Sequence, residues 1–452
     1  MTRELTPQDE GPLLDLAGWC ALIASATIVG LLTGAIGTAF RAALRYGELA
    51  RTDLVVAAHG WPLGGVLVVA LVSLSAGTAA WMVRRFAPPA AGSGIPHAVA
   101  VLRGELPLAP ASVIPVKFFG GLLAIGGGLA LGREGPTVQM GATLGALTAG
   151  RVRSVREQWP ALLAAGAGAG LASAFNAPIG GMLFVFEEML SRFETRTVVA
   201  TATACTAAIA LQRALLGEER DFVVAALPAA PPASLVLYLA MGLAAGALGV
   251  VYNRAIVASV RIAARAAAWP DGVLGAVVGA AVGGLVWFAP HVVGGGDDLT
   301  QQVLAGRAAI AALPLLCALR FALGPLSYGA GTPGGLFAPL LVIGAQIGFG
   351  CGWLAQQAFP ELVPSPVLFA LAGMAAFFTA TVRSPLTGIV LVGEMTGSFS
   401  HALPMLVASA GAYAVSVVLH NDPIYTTLRG QRFVRGRGTA QIGAERKPPA
   451  ET

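Results

Sequence analysis

The sequence predicts an all-α integral membrane protein built from interrupted helices in two related halves, and three observations carry that reading. Of 452 residues, 56% are hydrophobic, 59 more are glycine and only 11% are charged, where soluble domains carry about 25% charged residues. So few charges do not cover a surface that faces water. Ala-, Leu-, Val- and Gly-rich runs recur along the chain without alternation, which excludes disorder and a transmembrane barrel and leaves helices to satisfy the backbone in lipid. The third observation is an internal repeat. At roughly 20–25 residues per crossing, the chain has room for at most about 18 helical segments.

Taken in order, residues 1–17 form a polar lead-in with Glu4, Asp9, Glu10 and Asp15, two prolines and no basic n-region of a cleaved signal peptide, expected on the cytoplasmic side. Apolar runs follow at 18–57, 62–86, 109–131, 135–150, 158–175, 178–190, 198–216, 234–265, 271–290, 308–328, 335–358, 366–382, 385–397 and 402–420. Several are too short to span a bilayer. Many begin just after a Gly/Pro break: Gly92-Ser93-Gly94-Ile95-Pro96, Gly132-Arg133-Glu134-Gly135-Pro136 and Gly334-Gly335-Leu336-Phe337-Ala338-Pro339. Non-helical backbone at membrane depth is tolerated only inside protein or along a watery cavity, so these breaks mark a substrate path. The transport unit is read as 18–432, with halves at about 18–217 and 234–432. Residues 433–452 form a basic tail, and with Arg429 and Arg432 it favours a cytoplasmic C-terminus. Only about 27 residues follow Tyr425, so no appended regulatory domain is expected.

The repeat is specific in residue type as well as spacing. At an offset of 203, Lys117 pairs with Arg320, Phe118 with Phe321, Gly132 with Gly335 and Pro136 with Pro339. At 207, Gly166 pairs with Gly373, Pro178 with Pro385 and Glu187 with Glu394, which implies a four-residue insertion between the two blocks. Duplicated halves with breaks at matching positions place a binding site at their interface.

The breaks carry the chemistry. A helix that starts inside the membrane aims its unpaired N–H groups and about half a positive charge at whatever lies before it, and such starts bind anions. Pro96, Pro136 and Pro339 suit a first helical turn, and the glycines ahead of them admit a ligand close to the backbone. A site made of partial charges can release an anion that a buried full cation would hold too long. Glu134 lies inside one break, where a carboxylate costs on the order of 2.5–3.5 kcal/mol to insert. It can compete with the anion for a helix start and let go when protonated; the plain alternative is an ion pair with Arg133. Glu187 and Glu188 end the run from Pro178, either as a second proton station or as a helix end in water. Glu394 is read as structural. Ser93 and Tyr425 are hydroxyl donors suited to a dehydrated anion, although either could be a packed polar residue. Lys117 is read as paired, neutral or snorkelling, not as a substrate ligand. Cys20, Cys205, Cys317 and Cys351 are read as apolar core residues, and the five histidines form no metal pattern. No cofactor, metal or nucleic acid is expected.

On these residues the chain resembles the CLC family of chloride channels and chloride/proton antiporters. The three broken segments look like its signatures in order, Tyr425 within Asp422-Pro423-Ile424-Tyr425 matches its inner tyrosine, and the likeness runs from about residue 18 to 432. The resemblance implies a CLC-type fold of about 18 helices in two inverted halves, a prokaryotic type without C-terminal CBS domains, and a homodimer with one anion path per protomer in the bacterial inner membrane. It further implies an anion site at Ser93, Leu336, Phe337 and Tyr425, an external gate and proton acceptor at Glu134, and inner proton transfer at Glu188. Ser93 favours chloride over nitrate, and the complete first signature with Pro136 argues against the fluoride-exporting branch. One departure stands out. Where many prokaryotic relatives carry acidic residues after the first signature, this chain has His97, Ala98, Val99 and Ala100.

The expected function is therefore chloride/proton antiport, not enzymatic. The nearest alternative is a passive chloride channel on the same scaffold. A membrane enzyme would need a metal or nucleophile constellation beside Glu134, and the motifs show none.

Overall fold

The structure, a computed structural model, describes residues 15–431 apart from Ser191 and Glu219. Most of the expected lead-in and the whole basic tail from residue 433 lie outside the described residues. Among those described, the chain forms seventeen α-helices and no β-strand. The first half supplies α1 (Leu16–Ala58), α2 (Gly64–Phe86), α3 (Ile95–Leu102), α4 (Val113–Gly126), α5 (Glu134–Arg151), α6 (Trp159–Phe175), α7 (Pro178–Phe184) and α8 (Thr195–Leu216). The second supplies α9 (Leu235–Arg265), α10 (Val273–Phe288), α11 (Asp297–Leu304), α12 (Leu313–Gly329), α13 (Phe337–Ala358), α14 (Pro366–Val382), α15 (Pro385–Thr396) and α16 (Ala402–Val418). The last helix, α17, covers 424–431.

Each expected apolar run contains one of these helices, with the run at 178–190 continuing from α7 into a π turn, Val185–Leu190. Outside the expected runs lie α3, whose start at Pro96 the sequence does mark, and α11 and α17, about eight residues each and too short to stand out by hydrophobic period. The expected run at 109–131 breaks at Gly126, because Gly127 and Gly128 lead into the second signature.

Burial separates helices that face lipid from helices at the centre. In α2 and α9 large apolar side chains such as Leu74 and Val236 are exposed. Only 33% of the most apolar window of α2 is buried, against 72% in α13. A helix apolar all round is a core helix, and α6 and α14 are enclosed on every side. They are reached at glycine. A methyl group on Gly141 or Gly166 would overlap the backbone of the other where α5 crosses α6, and Gly344 and Gly373 repeat this between α13 and α14. Small residues let helix backbones approach in a membrane, where packing replaces the hydrophobic effect. The four-residue insertion lengthens α13 to 22 residues against 18 in α5. That is about one turn, so the facing residues keep their side of the helix.

Contacts between the halves are reciprocal. Glu187 accepts hydrogen bonds from the Leu386 and Thr387 amides at 3.1 and 2.7 Å, and its repeat mate Glu394 accepts from the Ile179 and Gly180 amides at 3.1 and 2.7 Å. Each carboxylate thus caps the helix start of the opposite half, where the dipole favours an anion. Exchange of equivalent partners requires a pseudo-two-fold axis, the relation expected of inverted halves. Both carboxylates thus have a structural task, the role read for Glu394 from the sequence. Replacing Glu187 with Gln removes the charge from these bonds and is expected to cost about 1–2 kcal/mol. Thermal unfolding in detergent checks this; the mirrored Glu394→Gln should cost about as much.

The cysteines divide. Cys205 is buried and Cys317 and Cys351 are partly buried against the core, but Cys20 is exposed. The expectation of a core position fails for Cys20 because α1 turns that face outward, where a small apolar side chain is equally at home.

Candidate functional site

The three broken signatures meet. Gly92 donates its amide to the Thr332 carbonyl (3.0 Å) and accepts from the Gly334 amide (3.1 Å), tying the first signature to the third. Gly132 and Gly335, repeat mates, exchange both backbone hydrogen bonds at 2.9 and 2.7 Å, tying the second to the third. Gly135 is the pinch point: a Cβ there would lie 2.8 Å from the Ser93 Cα and 2.9 Å from the Gly335 Cα. Any larger residue would push the loops apart. Gly94, at φ 82°, turns the chain into α3 through the left-handed region that glycine adopts without strain. The helix starts of α3, α5 and α13 therefore converge, as their sequence predicts.

Glu134, fully buried at the first position of α5, does not pair with Arg133. Its Oε1 accepts a hydrogen bond from the Phe337 amide at 2.6 Å, the first N–H of α13, and its Oε2 has no protein partner. Arg133 turns the other way, to Asp221 at 3.1 Å, Asp297 at 3.2 Å and the Ala174 carbonyl at 2.8 Å. The carboxylate thus occupies a helix start built for an anion.

The neighbouring full cations are engaged with backbone. Lys117, buried in α4, donates to the Gly92 carbonyl at 2.6 Å. Its mate Arg320 donates to the carbonyls of Val292, Gly294 and Gly295, the last being the repeat equivalent of Gly92. Lys117 is thus held inside the protein on a backbone carbonyl, which excludes snorkelling among the outcomes weighed from the sequence. Both residues fix the loops ahead of α3 and α11 by donating to their backbone carbonyls.

Around this junction stand the expected ligands. Ser93 and Leu336 are fully buried, and the Phe337 ring lies 6.0 Å from that of Tyr425, which α17 carries in from the end of the chain. The Ser93 and Tyr425 hydroxyls are buried without a protein partner, and Tyr425 is in electrostatic reach of Glu134. Buried polar groups are normally hydrogen-bonded, so two orphaned donors beside amide-bearing helix starts fit an anionic substrate. Tyr328 joins them without having been expected. Its hydroxyl accepts from the Ser93 amide at 3.4 Å and packs on Gly92. Its only sequence signal is a lone phenol near the end of a mostly apolar helix.

Glu188 lies apart, in the π turn after α7, a kind of irregularity frequent at functional sites. The Ser384 hydroxyl donates to its Oε2 at 3.1 Å, and Arg103, Arg429 and Glu187 lie within electrostatic reach. Neighbouring Glu187 is committed to capping α15, so the two adjacent carboxylates have separate tasks.

The arrangement can hold a dehydrated anion on peptide dipoles and hydroxyls, exclude it by inserting Glu134, and readmit it when Glu134 binds a proton. Comparison with known proteins bears on which anion this is. The profile of the voltage gated chloride channel family matches residues 76–417. The chain is 38% identical over 408 residues to the H(+)/Cl(-) exchange transporter ClcA of Vibrio cholerae serotype O1, covering 89% of this chain and 87% of that one. The ClcA exchange transporter of Salmonella arizonae is 36% identical over 464 residues, with 100% and 95% covered. Among solved structures, a slow cyanobacterial Cl-/H+ antiporter superposes with a TM-score of 0.88 at 33% identity, covering 94% of this chain and 99% of that one.

Proposed function

The chain belongs to the voltage gated chloride channel (CLC) family, and on that premise we propose that it is a chloride/proton antiporter, a multi-pass membrane protein performing secondary active anion transport. The observation that carries this reading is the Glu134 carboxylate seated on the first amide of α13, where a halide would otherwise sit. Chloride binds between the Ser93 and Tyr425 hydroxyls and the amides of Leu336 and Phe337. Glu134 displaces it, takes a proton from the outer solution, and withdraws. Glu188 relays protons on the inner side. A partly buried carboxylate hydrogen-bonded to Ser384 serves proton transfer and has no use in a passive pore, which favours exchange over conduction.

The transport unit is 18–432 with halves at about 18–217 and 234–432; two copies form a homodimer with one path each. The protein resides in a bacterial inner membrane with its C-terminus in the cytoplasm. It needs no cofactor, and its substrates are chloride and protons. The test is reconstitution in liposomes: an outward chloride gradient is expected to drive protons uphill, and the reversal potential is expected to move with the proton gradient. A reversal potential set by chloride alone would establish a channel.

A further inference from the structure

The acidic residues missing after Pro96 leave open where protons reach Glu188, and the far end of α3 supplies an answer. Gly104, at φ 70°, reverses the chain just past α3, and the Glu105 amide donates to the Ala100 carbonyl at 2.8 Å. This closure pins Glu105 at the helix end. Its carboxylate lies 3.6 Å from the Arg429 Nε, with 31% of the Glu105 side chain exposed against 14% of that of Arg429. Arg429 stands four residues after Tyr425 on α17, on the same face of that helix. Its Nη1 is buried without a protein partner, and its charge also reaches Glu188. One guanidinium is therefore paired with a carboxylate open to solvent and within electrostatic reach of a second carboxylate bonded to Ser384.

The other groups around Glu188 do not serve as donors. Glu187 is spent on the Leu386 and Thr387 amides. Arg103 and Arg429 remain charged and release no proton. We propose that Glu105 collects protons from the solution on the side where α17 ends and passes them to Glu188, with Arg429 as the positioning residue that holds the two carboxylates in register. In the step, a proton adds to the Glu105 carboxylate and ends its attraction to Arg429. The Glu105 O–H bond then breaks, the proton crosses by water to a Glu188 oxygen, and ionised Glu105 pairs with Arg429 again. One O–H bond is lost and one gained.

This inference rests on the exchange reading, and the experiment separates the two. Chloride and proton fluxes are measured together in liposomes for wild type, Glu105→Gln and Glu105→Asp. Glu105→Gln is expected to cut proton flux about tenfold while chloride flux persists, less than the ~100-fold or more expected for a sole proton-transfer group. Acidifying the solution on the α17 side is expected to restore part of it, and Glu105→Asp to stay near wild type. Unchanged coupling in Glu105→Gln overturns the relay, as does an equal loss of both fluxes in both variants, which would mark a structural role. A wild type without proton coupling would instead overturn the exchange reading, and the relay with it.

Discussion

Glu134→Gln is expected to abolish proton coupling while chloride continues to pass. Glutamine has nearly the shape of glutamate, so the packing of the three signatures around Gly135 is kept. It carries no charge, so it competes weakly with chloride for the Phe337 amide that now holds the carboxylate at 2.6 Å. It also cannot exchange a proton with the outer solution. Proton flux should fall by on the order of 100-fold or more, the scale a positioned proton-transfer group contributes. Chloride flux should lose its dependence on outer pH, because in the proposed cycle that dependence arises from protonation of this one side chain. Paired chloride- and pH-electrode recordings on proteoliposomes check both. Retained uphill proton movement would remove Glu134 from its role as gate.

Glu188→Gln is expected to give an equal loss of proton flux with a different signature. The amide can still accept the Ser384 hydroxyl bond, now at 3.1 Å, so the π turn should hold. The relay to the inner solution is cut, yet Glu134 still gates the outer side. Chloride flux should therefore keep its dependence on outer pH in this variant and lose it in Glu134→Gln. The same recordings made at several outer pH values distinguish them. If both variants lose that dependence, the separation of gate and relay is wrong.

How much of this was legible beforehand differs from residue to residue. The helix starts at Pro96, Pro136 and Pro339 were readable because proline and glycine act on the backbone within a turn, and α3, α5 and α13 begin there. Glu134 stood out because a carboxylate in an apolar stretch needs a reason. Its partner was not readable from the residues around it, because the Phe337 amide lies 203 residues away, and only the resemblance put an anion site there. The pairing of Arg133 with Asp221 and Asp297, 88 and 164 residues distant, was equally hidden, so an ion pair with Glu134 remained open until the fold decided it. Tyr328 was passed over because a single phenol in an apolar helix has no pattern. Helix α11 was missed for a related reason: its eight residues begin with Asp297 and Asp298 and present little apolar period.

The sequence by itself determined a membrane solvent, two related halves, and three glycine–proline junctions able to aim peptide dipoles at an anion. Composition, repeat spacing and first-turn geometry are local properties, set by transfer energies and by hydrogen bonds that span four residues. Only the tertiary structure decided that the junctions are stitched at Gly92, Gly132 and Gly335, that Glu187 and Glu394 cap each other's half, and that Arg429 pairs with Glu105. Those choices depend on which charges and amides, far apart in the chain, are brought within hydrogen-bonding reach of one another. Such proximity follows from the packing of all the helices and is written in no single segment.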